Sequence, residues 1–504
     1  MREQISTSPV SGIGYSIPDT NDSDSITSFV ESNKSKKTVA VQGLGFVGTA
    51  MALVVANCDE GKYAVIGVDQ STKDAYWKIG DINNGVVPIV SSDPLVEQYY
   101  KQARRNKTIL ATHDTSAFSH ADVIIVDINL DVRKEQDANK NLIAYDVPLE
   151  SFKDAIRSLA KFCRPDVLIL VETTVPPGTC KKIVKPIVDD EFKKRGLSSN
   201  KISIGHSYER VMPSPNYINS IRNFYRVYSG IDKKSADTVE LFLKSVISTD
   251  EYPLTRLENT ESTEMAKVLE NSYRAMNISF AIEWSRFAEM AGVNLFEVVD
   301  AIRQRPTHAN LMYPGIGVGG YCLTKDPLLA SWASENFFGL SGGLGSSVEA
   351  VERNDKMPGF CFTFVEGILS KLATNNPSIG LLGVAYGPGV GDTRFSPVEN
   401  FYILMRERYD KVALHDPYVS KWRELNLDVE SSFQDFIKRD LDVLILTTGH
   451  QHYIENDNLY NKVASLPRVP VIIDTVGLLD FEKLPAEYRW NQNFFVLGVG
   501  EQQE

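Results

Sequence analysis

The chain has 504 residues, of which 43% are hydrophobic and 23% charged, with a formal net charge of −12. Length alone suggests about three domains, with enough buried surface to need neither disulfides nor metal. The acidic balance excludes a nucleic-acid role built on clustered Lys and Arg, and no apolar run approaches the roughly 18 residues that cross a bilayer.

Residues 1–36 are rich in Ser, Thr, Asp and Asn without periodicity and read as a flexible polar tail. They hold no signal-peptide apolar core. Thr38–Gln42 is a β-branched run that enters Gly43-Leu44-Gly45-Phe46-Val47-Gly48, and an Ala/Val/Leu-rich helix follows over about 47–57. Tyr63–Val68 reads as a second strand ending at Asp69, with later strands at Val123–Ile128 and Val167–Val171. This alternation predicts a doubly wound parallel sheet.

From about 258 to 292 the pattern becomes one long helix. Asn259 and Thr260 suit its cap, Glu261 and Glu264 its positive end, and Met265, Leu269, Ser272, Met276 and Phe280 recur at helical spacing. A glycine-rich loop follows at 315–320. Ile379–Val384, Val412–His415, Val443–Leu446 and Val471–Ile473 then alternate with helical segments, which predicts a second Rossmann-like domain. The fold class is therefore α/β, with two Rossmann-like doubly wound domains joined by a long central helix.

Several motifs carry chemistry. Gly43, Gly45 and Gly48 let the backbone approach a pyrophosphate at a helix start, where Phe46 and Val47 supply N–H groups. Asp69 would accept from ribose hydroxyls and repel a 2′-phosphate, which favours NAD over NADP. Glu172-Thr173-Thr174-Val175-Pro176-Pro177-Gly178-Thr179 follows a strand at its ligand-binding end. There Thr174 would meet the nicotinamide or the reacting hydroxyl, unless the segment is only a Pro-stiffened turn. Glu209, in Ser207-Tyr208-Glu209-Arg210, suits a water-activating base or a plain salt bridge. Lys267 and Asn271 share one helix face, as oxyanion donors or as an ordinary polar face.

The strongest motif is Gly315-Ile316-Gly317-Val318-Gly319-Gly320-Tyr321-Cys322-Leu323-Thr324-Lys325-Asp326-Pro327. A cysteine after such a loop can sit at a helix start, where thiolate is favoured, with Asp326 four residues on. A lone cysteine is otherwise a small buried residue. The five cysteines (Cys58, Cys163, Cys180, Cys322 and Cys361) form no CxxC pair and have no His cluster. No metal site is expected, and the chain reads as reduced and cytoplasmic. Arg394, in Gly391-Asp392-Thr393-Arg394-Phe395-Ser396-Pro397, would bind a phosphate or carboxylate, or pair with Asp392.

In this order the segments resemble the UDP-glucose/GDP-mannose dehydrogenase family over about residues 37–500. The most specific are TTVPPGT, the 259–283 helix, GVGGYCLTKDP and GDTRFSP. The resemblance implies an NAD-binding Rossmann domain (37–235), a central helical domain with the Cys loop (236–350) and a nucleotide-sugar-binding domain (351–504). It implies Cys322 as nucleophile, with Lys267, Asn271 and Asp326 around it, Glu209 serving water attack, and Thr174 in its loop. Glu209, Arg210, Lys267, Asn271, Tyr313, Gly319 and Arg394 become substrate contacts. The activity implied is NAD-dependent four-electron oxidation of a nucleotide sugar at C6 to the uronic acid, through a Cys322 thiohemiacetal and thioester, in polysaccharide precursor supply. A homodimer or higher homo-oligomer is implied too, with Arg303, Arg305 and His308 as candidates to reach a neighbouring subunit.

This chain departs from the family pattern in three places. Ala385-Tyr386-Gly387-Pro388-Gly389 carries no Lys, Asp127-Ile128-Asn129-Leu130-Asp131-Val132 stands where a Pro-Thr-Pro-like run is commoner, and Tyr321 replaces Ser or His. The substrate signals conflict. Glu209–Pro213 resembles the UDP-N-acetylhexosamine branch, and Thr324-Lys325-Asp326 the UDP-glucose and GDP-mannose branches. Two rivals stay open: a single-step β-hydroxyacid-type dehydrogenase, and a non-catalytic protein that binds NAD or a nucleotide sugar.

Overall fold

A computed structural model describes residues 4–58, 61–89, 91, 93–208, 216–372, 376–456, 458–468, 470–484 and 493–500. The chain divides into two compact units. The first takes residues up to Arg133, Asp146–Val268 and Trp332–Ser341; the second takes Lys134–Tyr145, Leu269–Ser331 and the chain from Gly342.

The stretch expected to be a flexible tail is ordered. It forms β1 (Ile5–Thr7), β2 (Gly14–Ser16) and α1 (Ser23–Ser32), with β1 and β2 paired antiparallel. Among its described residues Ile26 is the one fully buried apolar side chain, which is why composition misreads it. Side-chain hydrogen bonds hold the segment: the Thr112 hydroxyl donates to Asp22 at 2.6 Å, and the Asp22 amide donates to Asp114 at 3.2 Å.

The first unit is built on β3 (Lys37–Gln42), β4 (Tyr63–Val68), β5 (Ile109–Thr112), β6 (Val123–Val126), and, beyond a two-stranded ribbon of β7 (Arg133–Gln136) and β8 (Leu142–Asp146), β9 (Leu168–Val171), β10 (Ser203–His206), β11 (Val227–Gly230) and β12 (Thr255–Arg256). The eight-stranded sheet runs β12-β11-β10-β9-β6-β3-β4-β5 and is parallel except where β11 meets β10. Strands β4, β6 and β9 are near-continuous apolar runs because both faces are covered. The covering helices are α2 (Phe46–Ala56), α3 (Tyr76–Asn84), α4 (Pro94–Arg105), α5 (Glu150–Phe162), α6 (Lys185–Lys194), α7 (Tyr217–Arg222) and α8 (Lys233–Lys244). In α2 every residue from Gly48 to Ala56 is buried, so its sequence shows no polar face.

The long helix, predicted over about 258–292, is α9 (Thr260–Ala291), and the Asn259 side chain accepts from the Ser262 amide at 2.9 Å at its start. Its apolar stripe faces outward: Met265, Leu269, Met276 and Phe280 are 52%, 63%, 39% and 49% exposed. The inward face is mostly small or polar, with Thr263, Glu264, Lys267, Ser272, Ala275, Ser279 and Ser285 buried beside Val268 and Ile282.

The second unit adds α10 (Leu295–Arg303), the first part of α11 (Asp326–Asn336), α12 (Gly345–Leu369) and α13 (Pro397–Arg408). Its sheet is wholly parallel, in the order β14 (Val412–His415), β13 (Ile379–Leu382), β17 (Val443–Leu446), β18 (Val471–Asp474), β19 (Phe494–Val496). A small ribbon, β15 (Lys421–Trp422) with β16 (Leu427–Asp428), lies apart from it. Among the described residues, no helix is long and apolar enough to cross a membrane.

Candidate active site

In the first unit the glycine loop sits between β3 and α2, and its three glycines have different reasons to be glycine. Gly43 has φ +97°, and a Cβ there would fall on the Asp127 carbonyl. A Cβ at Gly48 would fall on the Gly43 carbonyl, so this glycine lets helix and loop close up. Nothing lies within 4 Å of a Cβ built at Gly45, which leaves that side open for a ligand. Gly45 is also the N-cap of α2 and offers no capping side chain, so the amides that follow it, at Phe46 and Val47, face the loop uncapped by it. This cradle fits the pyrophosphate of NAD.

Asp69 ends β4 beside the cradle. Its Oδ2 accepts from the Leu44 amide at 2.9 Å and from Lys78 Nζ at 2.6 Å. Lys78 had no motif to mark it in the sequence. It lies on α3, nine residues beyond Asp69, and only the fold brings the two together.

The Thr-rich loop leaves β9 through a buried ion pair, with Arg226 Nη1 at 2.5 Å from Glu172 Oε1. The Thr173 hydroxyl is spent on the backbone of Val126 and Ile128, each at 3.0 Å, and half-buried Thr174 is the nearer of the two to the surface. The end of the loop is tied to α9, where Glu264 accepts from the amides of Gly178 at 2.6 Å and Cys180 at 2.8 Å. Burial favours the neutral acid and the amides favour the carboxylate; the net result pushes Glu264 up to about 7. The sequence marked Glu264 only as an acid at a helix start.

One turn further along α9, Lys267 is buried with its Nζ 5.3 Å from the Tyr208 ring centroid. His206 Nδ1 lies 2.9 Å from the Thr263 hydroxyl, and burial, reinforced by the Lys267 charge, lowers its pKa to about 3. His206 is therefore a neutral structural group. Glu209 and Arg210 lie outside the described residues.

In the second unit Cys322 is exposed, whereas the other four cysteines are buried. It lies one turn before α11, not inside the helix, and its carbonyl accepts from the Asp326 amide at 2.9 Å. Asp326 is fully buried with both carboxylate oxygens engaged: Oδ2 by Asn271 Nδ2 at 2.6 Å and Oδ1 by Lys325 Nζ at 2.7 Å. The Thr324 hydroxyl donates to the Gly320 carbonyl at 2.9 Å. Thr324 thus serves the turn itself, and Asp326, paired with Lys325, ties the turn to α9.

The glycine loop before Cys322 is packed against Tyr386. A Cβ at Gly319 would lie 2.6 Å from Pro397 Cδ and 2.8 Å from Tyr386 Cβ, and one at Gly320 2.9 Å from the Tyr386 ring. Tyr386 is pushed up to about 12, by burial first and then by nearby Asp392 and Cys322. Its position next to the stretch without a Lys was visible in sequence; its packing was not.

Other expected contacts have internal partners. Arg394 pairs with Asp392, Nε to Oδ1 at 3.0 Å and Nη2 to Oδ2 at 2.7 Å. The Tyr313 hydroxyl donates to Asp300, and Arg303 lies 4.7 Å over the Tyr313 ring. Arg305 and His308 are exposed.

Three family models match the chain: the UDP-glucose/GDP-mannose dehydrogenase family NAD binding domain at residues 37–246, its central domain at 261–352 and its UDP binding domain at 380–481. Among curated relatives, a UDP-N-acetyl-D-mannosamine dehydrogenase of Methanococcus maripaludis is 28% identical over 89% of this chain and 94% of its own. An NDP-N-acetyl-D-galactosaminuronic acid dehydrogenase of Ralstonia nicotianae is 25% identical over 89% and 98%. Among solved structures, UDP-D-ManNAc dehydrogenase of Pyrococcus horikoshii superposes with a TM-score of 0.74 at 26% identity, covering 92% of this chain and 99% of that one.

Proposed function

The chain belongs to the UDP-glucose/GDP-mannose dehydrogenase family and is an NAD-dependent nucleotide-sugar dehydrogenase, and from that premise we propose that it oxidises UDP-N-acetyl-D-mannosamine at C6 to the uronic acid through a covalent intermediate on Cys322. The observation that carries the covalent step is the exposed Cys322 on a turn braced by the Asn271–Asp326–Lys325 cluster.

NAD would supply the hydride acceptor, one molecule for each of the two oxidations in turn, and the chain's own residues do the rest. Thr174 would face the nicotinamide and orient the C6 hydroxyl. The Cys322 sulfur adds to the C6 aldehyde carbon and forms a thiohemiacetal; after the second oxidation the same carbon is a thioester. Lys267 and Asn271, one turn apart on α9, stabilise the oxyanions that develop at C6. Attack of water, with its proton passing to Glu209, breaks the C–S bond, releases the carboxylate and restores the thiol. Asp326 holds Asn271 in place, because both its oxygens are occupied.

The choice of sugar rests on two supports. Relatives that cover nearly the whole chain are named for UDP-N-acetyl-D-mannosamine. The contrary signal in Thr324-Lys325-Asp326 loses its force because the Thr324 hydroxyl bonds within the turn and Asp326 has both oxygens taken, by Lys325 and by Asn271 of α9. The sugar nucleotide would be held by the second unit, with Tyr313, Gly319 and Arg394 as its contacts. The outward stripe on α9 would be covered by a second copy of the chain, since so long an apolar face in water is costly. Rates on UDP-N-acetylmannosamine, UDP-N-acetylglucosamine, UDP-glucose and GDP-mannose test the assignment. The highest kcat/KM is expected on the first, and a preference for UDP-glucose or GDP-mannose would overturn the sugar assignment.

A further inference from the structure

The N-terminal hairpin lies ahead of the stretch matched by the family models, which begins at residue 37. Its side chains converge on α3. Asp81, fully buried on that helix, accepts three hydroxyl donors, all from the hairpin: Ser8 at 2.5 Å, Ser11 at 2.9 Å and Tyr15 at 2.7 Å. A carboxylate is buried at little cost only when it is so fully hydrogen-bonded.

Two more features of α3 match the hairpin. The helix starts at Ala75, which has no capping side chain. Ser6 fills that role from outside: its hydroxyl oxygen accepts from the Trp77 amide at 2.9 Å and donates to the Lys73 carbonyl at 2.6 Å. Gly80, in the helix interior, is where the Tyr15 ring rests, and a Cβ there would collide with it. Glycine is a poor helix residue, so its presence here fits the ring better than the helix.

The same helix carries Lys78 between these contacts, and Lys78 reaches Asp69 at 2.6 Å. Asp69 in turn holds the Leu44 amide of the glycine loop. The hairpin's hydrogen bonds to Trp77 and Asp81 and the Lys78–Asp69–Leu44 hydrogen bonds to the cradle are thus carried by the same short helix.

We propose that residues 4–16 are an internal clamp on α3 that sets Lys78 against Asp69 and so tunes affinity for NAD, a role that rests on the assignment of the Gly43–Gly48 loop and Asp69 to that cofactor. Ser6, Ser8, Tyr15 and Asp81 act as positioning residues, since they work through Lys78 rather than by touching the ligand. The clamp leaves the chemistry at C6 alone, so its loss changes cofactor binding and not turnover at saturation.

The test uses Gly80→Ala in the full chain, which drives a methyl group into the Tyr15 ring while improving the helix. A milder pair, Ser11→Ala with Tyr15→Phe, removes two donors without a clash and serves if the first variant folds poorly. Hydrogen exchange at residues 4–16 verifies release of the hairpin. NADH fluorescence titration gives Kd without any sugar, and steady-state rates give KM for NAD and kcat separately. Release of the hairpin is expected to raise both Kd and KM about fivefold, with kcat little changed. In a Lys78→Ala background the same change should add nothing. A released hairpin with unchanged Kd, or an effect that persists without Lys78, would overturn the clamp. Failure of the wild-type chain to bind NADH would instead sink the cofactor-site assignment beneath it.

Discussion

Glu264 offers a quantitative test of how the Thr174 loop is held. Its carboxyl is fully buried, so solvent screening does not dilute its shift, and it titrates near 7 against an ordinary value of 4.5. At 1.36 kcal/mol per pH unit, that shift is worth about 3 kcal/mol. The raised carboxyl means that the folded chain binds more protons than the unfolded one between pH 4.5 and about 7. Stability from this group is therefore greatest below pH 4.5, falls as pH rises to about 7, and is level above that. Glu264→Gln removes the titration. It also turns one amide acceptor into a donor, a pH-independent cost of about 1–3 kcal/mol. Urea unfolding of both proteins over this range isolates the group, because every other titration, including that of Glu289, is common to both. The wild-type advantage over the variant should shrink by about 3 kcal/mol from acid to neutral pH. A flat difference, or one that grows with pH, would mean that the Gly178 and Cys180 amides outweigh burial and hold an ordinary carboxylate.

Two further outcomes follow from the geometry. Gly43→Ala places a Cβ against the Asp127 carbonyl at φ +97°; it should abolish NADH binding in a fluorescence titration, and retained binding would show that the loop does not form the cradle. Phe280→Asp, on the outward stripe of α9, should shift the chain to monomer in sedimentation equilibrium, and an unchanged mass would remove the stripe from the interface.

The two sheets were legible because fully covered parallel strands are continuous apolar runs: Tyr63–Val68, Val412–His415 and Val443–Leu446 fall where their residues put them. Helix α9 was legible from periodicity, but periodicity alone does not say which face meets the core, and the Met265–Leu269–Met276–Phe280 stripe points away from it. The hairpin was missed because hydroxyl-to-carboxylate bonds across 66 to 73 residues leave no local pattern. Cys322, expected at a helix start, lies one turn before α11. The partners of Asp326 were not legible, since Asn271 lies 55 residues away and Lys325 read as part of a motif rather than as a counter-ion. Lys78 and Glu264 stayed hidden for the same reason: each acts on a segment remote in sequence.

The central claim is covalent four-electron oxidation on Cys322, and the most direct measurement is NADH formed per sugar nucleotide consumed, for the wild-type chain and for Cys322→Ser side by side. The account predicts two NADH and one uronic acid per sugar for the wild type, and no acid from the variant. A single NADH per sugar from the wild type, or undiminished acid formation by Cys322→Ser, would contradict it.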